Sequence, residues 1–105
     1  VWGGNGPGFD CSGLVKRVAA DAFGVNLPRT SQDQWNNGPG KRVAINKLFR
    51  GDLVFFGNGQ ATHVGIIIDK NGTMIHASQA AGQVIQANIH HIGMNILGGR
   101  RLVHK

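Results

Sequence analysis

The hydrophobic pattern of this chain changes its period once, near residue 52. Before that point, apolar side chains in residues 11–23 recur at helical spacing, with Asp10 placed to cap the helix and Gly24 to end it. After it, short apolar or alternating segments are separated by turn residues; these are residues 53–56, 63–68, 73–77, 84–88 and 96–103. Because helices come first and strands follow with hairpin-length links, we predict an α+β fold with an antiparallel sheet of about five strands.

A second, shorter helix is predicted between these two halves. Residues 25–29 form a connector, and Thr30 or Ser31 can cap a helix that runs to about Trp35. The glycines and proline of residues 37–40 then end it. Neither an internal repeat nor a linker interrupts the 105 residues, so we expect one domain.

The composition restricts the kinds of molecule that this protein is expected to bind. The formal net charge is +6, and a basic surface attracts polyanions. Nucleic acid is a poor match, because the lysines and arginines are scattered and the chain has no tyrosine to interleave with them. A bacterial cell wall is rich in carboxylates and phosphates, so it is a polyanion that suits the positive charge of this chain equally well. We expect no membrane span, since no apolar run approaches the ~18–20 residues that a span needs.

A single cysteine, Cys11, stands where the first helix begins, in the segment Gly8-Phe9-Asp10-Cys11-Ser12-Gly13. It has no disulfide partner within the chain, and a helix N-terminus favours the thiolate form of a cysteine. His63 begins a predicted strand, His63-Val64-Gly65-Ile66-Ile67-Ile68. A thiolate on a helix beside an imidazole on a strand is what nucleophilic cysteine chemistry needs, so the chain is predicted to be a cysteine hydrolase.

The loop between the second and third predicted strands decides whether another histidine joins His63. A four-residue loop over residues 69–72 pairs Ile68 with Thr73. His63 and His76 then become diagonal neighbours on one face of the sheet. A two-residue turn would move them one pair further apart, and a three- or five-residue loop would put them on opposite faces. We predict the four-residue loop, in which His76 holds the ring of His63. The remaining histidines are expected on the surface: His90, His91 and His104.

Two other interpretations of these residues remain open. A free cysteine is often a small buried hydrophobic residue with no chemical role. Cys11, His63 and His76 could also supply three ligands of a tetrahedral zinc site. Their spacing lacks a local chelating pair, however, so we expect no metal and no cofactor. Activity that survives strong chelators but is lost on thiol alkylation would decide between zinc and thiol chemistry.

Several segments taken together resemble the NlpC-type peptidoglycan peptidases. They are Trp2-Gly3-Gly4, Gly8-Phe9-Asp10-Cys11-Ser12-Gly13-Leu14-Val15, Leu27-Pro28-Arg29-Thr30-Ser31, Gly51-Asp52-Leu53-Val54-Phe55-Phe56, His63-Val64-Gly65-Ile66 and Met74-Ile75-His76-Ala77-Ser78. The resemblance covers about residues 2 to 103 and is specific because the linked motifs follow in the family's order. One feature departs from the family. Its members usually have a tyrosine just before the Trp-Gly-Gly segment, at the oxyanion and substrate subsite. This chain contains no tyrosine and starts one residue before Trp2, so either the sequence begins too late to include that residue or the residue is absent.

The resemblance implies a papain-like α+β fold in which the nucleophile begins the first helix. It implies that Cys11 is the nucleophile, His63 the general base and His76 the residue that orients the base. The implied reaction is hydrolysis, through an acyl-enzyme, of an amide in the peptidoglycan stem peptide, typically between D-glutamate and the diamino acid. It further implies a single catalytic domain over residues 1–105, cut from a longer chain, that acts outside the cytoplasm: secreted, periplasmic or in the cell wall.

Substrate contacts are expected close to the nucleophile. Asp10 and Ser12 flank Cys11 and are expected to bind polar ends of the stem peptide, with Trp2 and Arg29 nearby. Each has a structural interpretation as well: Asp10 as the helix cap, Arg29 as a structural or rim residue, and Trp2, like Trp35, as a packing residue. The backbone N–H of Cys11 is a candidate donor to the oxyanion.

Three other activities remain as alternatives. A muramoyl-alanine amidase would need only a different subsite around the same chemistry. A cell-wall-binding module with weak or no activity is consistent with the missing tyrosine. Acyl transfer to lipid by a related papain-like fold is disfavoured, because those enzymes carry the histidine before the cysteine, whereas here Cys11 precedes His63.

Overall fold

The computed structural model describes residues 10–78 and 82–102. Helix α1 spans Cys11–Val18 and continues as a π-helical turn over Ala19–Phe23, and helix α2 spans Ser31–Asn37. Within the described residues six strands follow: β1 (Lys41–Val43), β2 (Leu53–Phe56), β3 (His63–Ile67), β4 (Thr73–Ser78), β5 (Gln83–Asn88) and β6 (Ile96–Arg101). A 3-10 turn, Ile45–Lys47, lies between β1 and β2. No described helix has the length and apolarity that crossing a membrane requires.

Helix α1 is fixed at both ends by the residues that the sequence indicates. The Gly13 N–H donates to Asp10 Oδ1 at 2.7 Å, which makes Asp10 the N-cap. Gly24 ends the helical segment in the left-handed conformation, with φ 66°. Gly13 has no room for a side chain, because a Cβ there would lie 2.6 Å from Asp10 Oδ1. The start of α1, which carries Cys11, is therefore held in a defined place.

The strands form one antiparallel sheet in the order β1-β6-β2-β3-β4-β5. This confirms the α+β class and corrects the number of strands from about five to six among the described residues. The additional strand is β1, which has only three residues, and its side chains Lys41 and Arg42 are exposed. Such a short polar segment lacks the apolar alternation by which the other strands are recognised.

The core lies on both faces of the sheet, with β2 at its centre. Leu53 and Phe55 belong to a cluster that includes Val15 of α1. Val54 and Phe56 point the other way, into a second cluster. Because β2 is buried on both faces, its sequence is a continuous apolar run rather than an alternating one.

Strands β3 and β4 pair in the predicted register. Ile66 lies opposite Ile75, and Ile67 lies opposite Met74. The N–H of Ile68 donates to the carbonyl of Thr73 at 2.9 Å, which leaves four residues in the loop. The four-residue loop is confirmed, and the first residue of β3 and the middle of β4 consequently share one face of the sheet.

Helix α2 is capped as predicted and is two residues longer than predicted. The Thr30 hydroxyl accepts from the Asp33 N–H at 3.2 Å. Trp35 packs against Phe55, with ring centroids 5.2 Å apart, and the Arg42 guanidinium lies 4.0 Å from the centroid of the Trp35 ring. The packing role expected of Trp35 is thus confirmed.

Candidate active site

Cys11, His63 and His76 line one cleft of about 530 Å³. They come from three separate elements: Cys11 begins α1, His63 begins β3 and His76 lies in the middle of β4. Cys11 is half-buried and packs against the core cluster that contains Val64. The fold therefore brings together the three residues that the sequence singles out for chemistry.

The two histidines form a hydrogen-bonded pair. His63 Nε2 lies 2.7 Å from His76 Nδ1, and the two rings meet edge to face at 88° with centroids 4.9 Å apart. His76 is only 6% exposed, so packing fixes its ring. This contact uses Nε2 of His63, so Nδ1 of the same ring takes no part in the bond to His76.

Gly65 allows β3 and β4 to lie close together beside the histidines. A Cβ on Gly65 would lie 2.5 Å from Met74 Sδ and 3.3 Å from His76 Cβ. On the other side of β3, the Phe56 ring packs against His63 with centroids 5.7 Å apart. The position of the His63 ring is thus limited by Phe56 on one side and His76 on the other.

Burial raises the pKa of the Cys11 thiol. A hydrogen bond from the Val64 N–H lowers it, the charge of Asp10 raises it further, and the balance lies above the ordinary value. The lowering expected from the helix N-terminus is opposed here by burial, because a half-buried sulfur is poorly solvated as an anion.

Burial has the opposite effect on the two imidazoles. It lowers the pKa of His63 to about 4, with the neighbouring His76 as a second cause. It also lowers the pKa of His76, whose Nε2 is buried without a hydrogen-bond partner in the described part of the chain. At neutral pH the thiol is therefore protonated and the His63 ring is uncharged, which leaves that ring able to accept a proton.

Asp10, Ser12 and Arg29 form a polar cluster next to Cys11. Arg29 donates to both oxygens of the Asp10 carboxylate, at 3.2 and 3.0 Å, and to the Ser12 hydroxyl at 3.0 Å. Burial alone would raise the pKa of Asp10, but the hydrogen bonds from Arg29 and from the Gly13 N–H together lower it. Asp10 therefore caps α1 and forms an ion pair at the same time, and the sequence could not reveal that these two roles coexist.

The apolar wall of the cleft was not predicted. It is formed by Ile85 and Ala87 of β5 and by Ile92 and Met94 of the segment that follows. His76 pairs with Ile85 across the β4–β5 ladder. Side chains alternate between the two faces of β5, so Ala87 lies on the same face as Ile85. Pairing β5 with β4 in the sequence, so that Ile85 lies opposite His76, could have identified this wall.

The remaining candidate residues lie elsewhere. His90 and His91 are exposed, as predicted, and Trp2 and His104 fall outside the described residues. Within residues 10–78 and 82–102, no group of three or more histidines, cysteines or carboxylates is arranged to hold a metal ion.

A larger cavity, of about 850 Å³, has no chemistry comparable to that of the cleft. It lies beside Phe49, and its carboxylate, Asp52, is buried against Arg101 with an oxygen–nitrogen distance of 2.8 Å. The Asp52 carboxylate also accepts a hydrogen bond from the Phe49 N–H, and it therefore stabilises the turn before β2. The cleft around Cys11 remains the candidate active site.

Comparison with known proteins identifies relatives of this chain. It is 45% identical over 92 residues to the peptidoglycan endopeptidase RipB of Mycobacterium tuberculosis strain H37Rv, covering 88% of this chain and 36% of RipB. It is 47% identical over 89 residues to the bifunctional muramidase/DL-endopeptidase CwlT of Bacillus subtilis strain 168, covering 79% of this chain and 26% of CwlT. The chain thus spans about a third or less of the length of these two curated relatives.

Solved structures agree with the sequence matches. The structure of RipB from Mycobacterium tuberculosis superposes with a TM-score of 0.79 at 40% identity, covering 93% of this chain and 47% of that one. RipD from the same organism, described as a non-catalytic NlpC/p60 domain protein, superposes with a TM-score of 0.75 at 29% identity, covering 91% and 68%. The family model of the NlpC/P60 family matches residues 1–104. This chain belongs to the NlpC/P60 family.

Proposed function

We propose that this domain is a cysteine endopeptidase that hydrolyses the stem peptide of bacterial peptidoglycan. The observation that carries the proposal is the cleft in which Cys11, at the start of α1, lies with a His63–His76 pair joined at 2.7 Å. The relatives RipB and CwlT, which are named as endopeptidases, support the same activity.

In the proposed mechanism, His63 acts as a neutral general base. Its Nε2–H donates to His76 Nδ1, which leaves the lone pair of Nδ1 to accept the proton of the Cys11 thiol. The sulfur attacks the carbonyl carbon of the scissile amide and forms a tetrahedral intermediate. His63 then gives its proton to the leaving amine, and an acyl-enzyme remains on Cys11. Water, activated by His63, releases the acid product and restores the thiol.

The developing oxyanion needs hydrogen-bond donors close to Cys11. The backbone N–H of Cys11 is the donor we propose, because it lies at a helix N-terminus where orphan N–H groups point outward. The positive end of the helix then stabilises the negative charge that forms on the carbonyl oxygen. Losing one such donor typically lowers the rate by ~10²–10³.

We assign the binding of the polar end of the stem peptide to Asp10, Ser12 and Arg29, with Trp2 as a further contact. The carboxylate of Asp10 is held in place by Arg29, so a substrate ammonium group would meet an oriented anion. The bond we propose is the D-glutamyl–diamino acid amide, and the name DL-endopeptidase of the relative CwlT supports it. Another relative, MepH of Escherichia coli, is named a murein DD-endopeptidase, and the masses of the released muropeptides distinguish the two bonds.

We also propose that residues 1–105 are one catalytic domain of a longer protein that acts outside the cytoplasm. The matched relatives are considerably longer than this chain, which covers 36% of RipB. RipB is named a peptidoglycan endopeptidase, and that polymer lies outside the cytoplasm, which supports the proposal.

A second candidate function is binding to the cell wall without catalysis. The similarity to RipD, described as adapted to a peptidoglycan-binding function, favours it. The presence of Cys11, His63 and His76 in one cleft favours the endopeptidase instead. A muramoyl-alanine amidase remains the alternative for the same catalytic residues.

Mass spectrometry of muropeptides treated with this domain separates these functions. The endopeptidase predicts a new free α-amino group on the diamino acid and a new carboxyl group on D-glutamate. Release of the whole stem from muramic acid would instead identify an amidase. Unchanged muropeptides that nevertheless retain the protein in a pull-down would identify a binding module.

A further inference from the structure

Helix α2 contacts the segment that carries Cys11 through one buried side chain, Gln34. This residue is 0% exposed, and its Nε2 donates to the Ser12 carbonyl at 3.1 Å and to the Pro28 carbonyl at 2.9 Å. Ser12 directly follows Cys11, and Pro28 directly precedes Arg29. A single amide group therefore joins the first turn of α1 to the connector that carries the arginine of the polar cluster.

The same helix contacts the segment that leads to His63. The Ala61 N–H donates to Gln32 Oε1 at 2.6 Å, and the Ser31 hydroxyl donates to the Ala61 carbonyl at 3.1 Å. Ala61 is 4% exposed and lies two residues before His63. Both backbone polar groups of Ala61 are thus bound by side chains of α2.

Helix α2 is itself anchored to the sheet. Arg100 of β6, which is buried, donates from Nε to the Gln34 carbonyl at 3.1 Å and from a terminal nitrogen to the Trp35 carbonyl at 2.8 Å. These bonds are charge-assisted and fix the last turn of the helix. Polar contacts made inside the core therefore connect the sheet to α2, and α2 to the segments on both sides of the cleft.

The amide of Gln34 supplies two N–H donors without placing a charge in the core. A glutamate or a methionine at this position could not donate to the two carbonyls, because an ionised carboxylate only accepts and a thioether has no N–H. The Oε1 of Gln34 is buried and lacks a hydrogen-bond partner among the residues the structure describes. A buried acceptor without a partner is unfavourable, so the two donated bonds are what this side chain contributes.

We infer that Gln34 and Gln32 are positioning residues, which act through α2 to fix Cys11 relative to His63. This inference rests on the proposed function, because it assumes that the Cys11 thiol transfers its proton to the His63 imidazole. The two glutamines are assigned the task of keeping these groups in place for that transfer. Gln34 holds the nucleophile side and the Arg29 connector, whereas Gln32 holds the base side. A displacement of about 1 Å between reacting groups can lower a rate by ~10²-fold.

The test compares substitutions that separate a donor role from an acceptor role. Gln32→Met removes the acceptor for the Ala61 N–H, and Gln32→Glu keeps it. We expect Gln32→Met to lower kcat on muropeptides by roughly 10- to 100-fold with KM unchanged, and Gln32→Glu to restore kcat. Gln34→Met and Gln34→Glu both remove the paired donors, so both should lower kcat, and both should raise KM through the Arg29 connector. Gln86→Met, at an exposed position of β5, is the matched control.

A second readout does not depend on cleavage of peptidoglycan. In both reactions His63 first takes the thiol proton of Cys11. The sulfur then displaces iodide from iodoacetamide with no further proton transfer, whereas opening of a small epoxide needs His63 to give that proton to the epoxide oxygen. The first transfer is common to both reactions, so the ratio of the two inactivation rates measures how well His63 is placed to give a proton to a group bonded to Cys11. We expect Gln32→Met and Gln34→Met to lower the epoxide-to-iodoacetamide ratio at least fivefold, and Gln86→Met to leave it unchanged.

The possible results separate the inference from the proposed function. If the wild-type domain cleaves no muropeptide, the proposed function fails, and the ratio of inactivation rates still decides the inference. If the Gln34 variants do not fold, as judged by circular dichroism, the Gln32 pair decides it. A folded Gln32→Met variant with the kcat and the ratio of the wild type would overturn the inference. Equal losses in Gln32→Met and Gln32→Glu would overturn it too.

Discussion

Burial acts in opposite directions on the two residues that exchange the proton. It raises the pKa of Cys11 and lowers that of His63 to about 4, so both are uncharged at neutral pH. An uncharged pair suits a half-buried cleft, because neither partner has to be desolvated as an ion. We therefore expect the proton to be transferred during the reaction rather than before it.

The first prediction concerns the charge of His63. We expect kcat/KM to fall on the acid side with an apparent pKa of about 4, because protonated His63 cannot accept the thiol proton. Nitrogen-15 NMR of the ring should show the neutral form at pH 7. An imidazolium spectrum at pH 7 that becomes neutral in Cys11→Ala would instead reveal a resting thiolate–imidazolium pair, contrary to this account.

The second prediction separates the two roles of Asp10. Asp10→Asn keeps the N-cap but removes the charge that pairs with Arg29, so stability should change little while KM rises several-fold. Asp10→Ala removes the cap as well and should lower the free energy of unfolding by ~1 kcal/mol. Urea unfolding and muropeptide kinetics measure the two effects. Asp21→Asn, in the exposed ion pair with Arg17, is the control. If Asp10→Asn has the KM of the wild type, Asp10 caps the helix but does not contribute to substrate binding.

At the scale of elements, the parts predicted correctly are those whose information is local. Strand β2 has the predicted bounds because its buried run is bracketed by turn residues, and the β3–β4 register follows from the length of one loop. Strand β1 was missed because its pairing with β6 depends on a partner far along the sequence. The same holds for the contact between Gln34 and Ser12, which joins two helices and has no periodic signature.

The third prediction tests the close approach of β3 and β4. Gly65→Ala would place a Cβ 2.5 Å from Met74 Sδ and 3.2 Å from the Ile75 carbonyl oxygen. Because Met74 is fully buried, the overlap should force the strands apart and destabilise the fold by about 1–3 kcal/mol. The His63–His76 hydrogen bond should weaken, and kcat should fall with it. Chemical denaturation measures the first effect, and an unchanged midpoint in Gly65→Ala would show that the strands tolerate the side chain.

At the scale of the whole molecule, the arrangement of charges favours an anionic partner. The carboxylates of Asp10, Asp21 and Asp52 are each paired with an arginine. Exposed cations remain, among them Lys47 and Arg50, and the net charge is +6. A field of this sign raises the local concentration of a polyanionic substrate, and salt screens it.

The fourth prediction follows from that screening. Raising the salt concentration from 0.05 to 0.5 M should increase KM for intact cell-wall fragments several-fold and leave kcat unchanged, because the charges lie outside the cleft. The matched variant Lys47→Gln/Arg50→Gln should reduce the salt dependence without changing kcat. A KM that does not vary with salt would show that the net charge does not contribute to substrate binding.

The central claim is that Cys11 and His63 together cleave the stem peptide, and digestion of purified peptidoglycan by matched variants tests it most directly. Wild-type protein and the control His91→Ala, an exposed position, should release the same fragments by mass spectrometry. Cys11→Ala and His63→Ala should release none while keeping the circular dichroism spectrum of the fold. Release of those fragments by Cys11→Ala at the wild-type rate would contradict the claim.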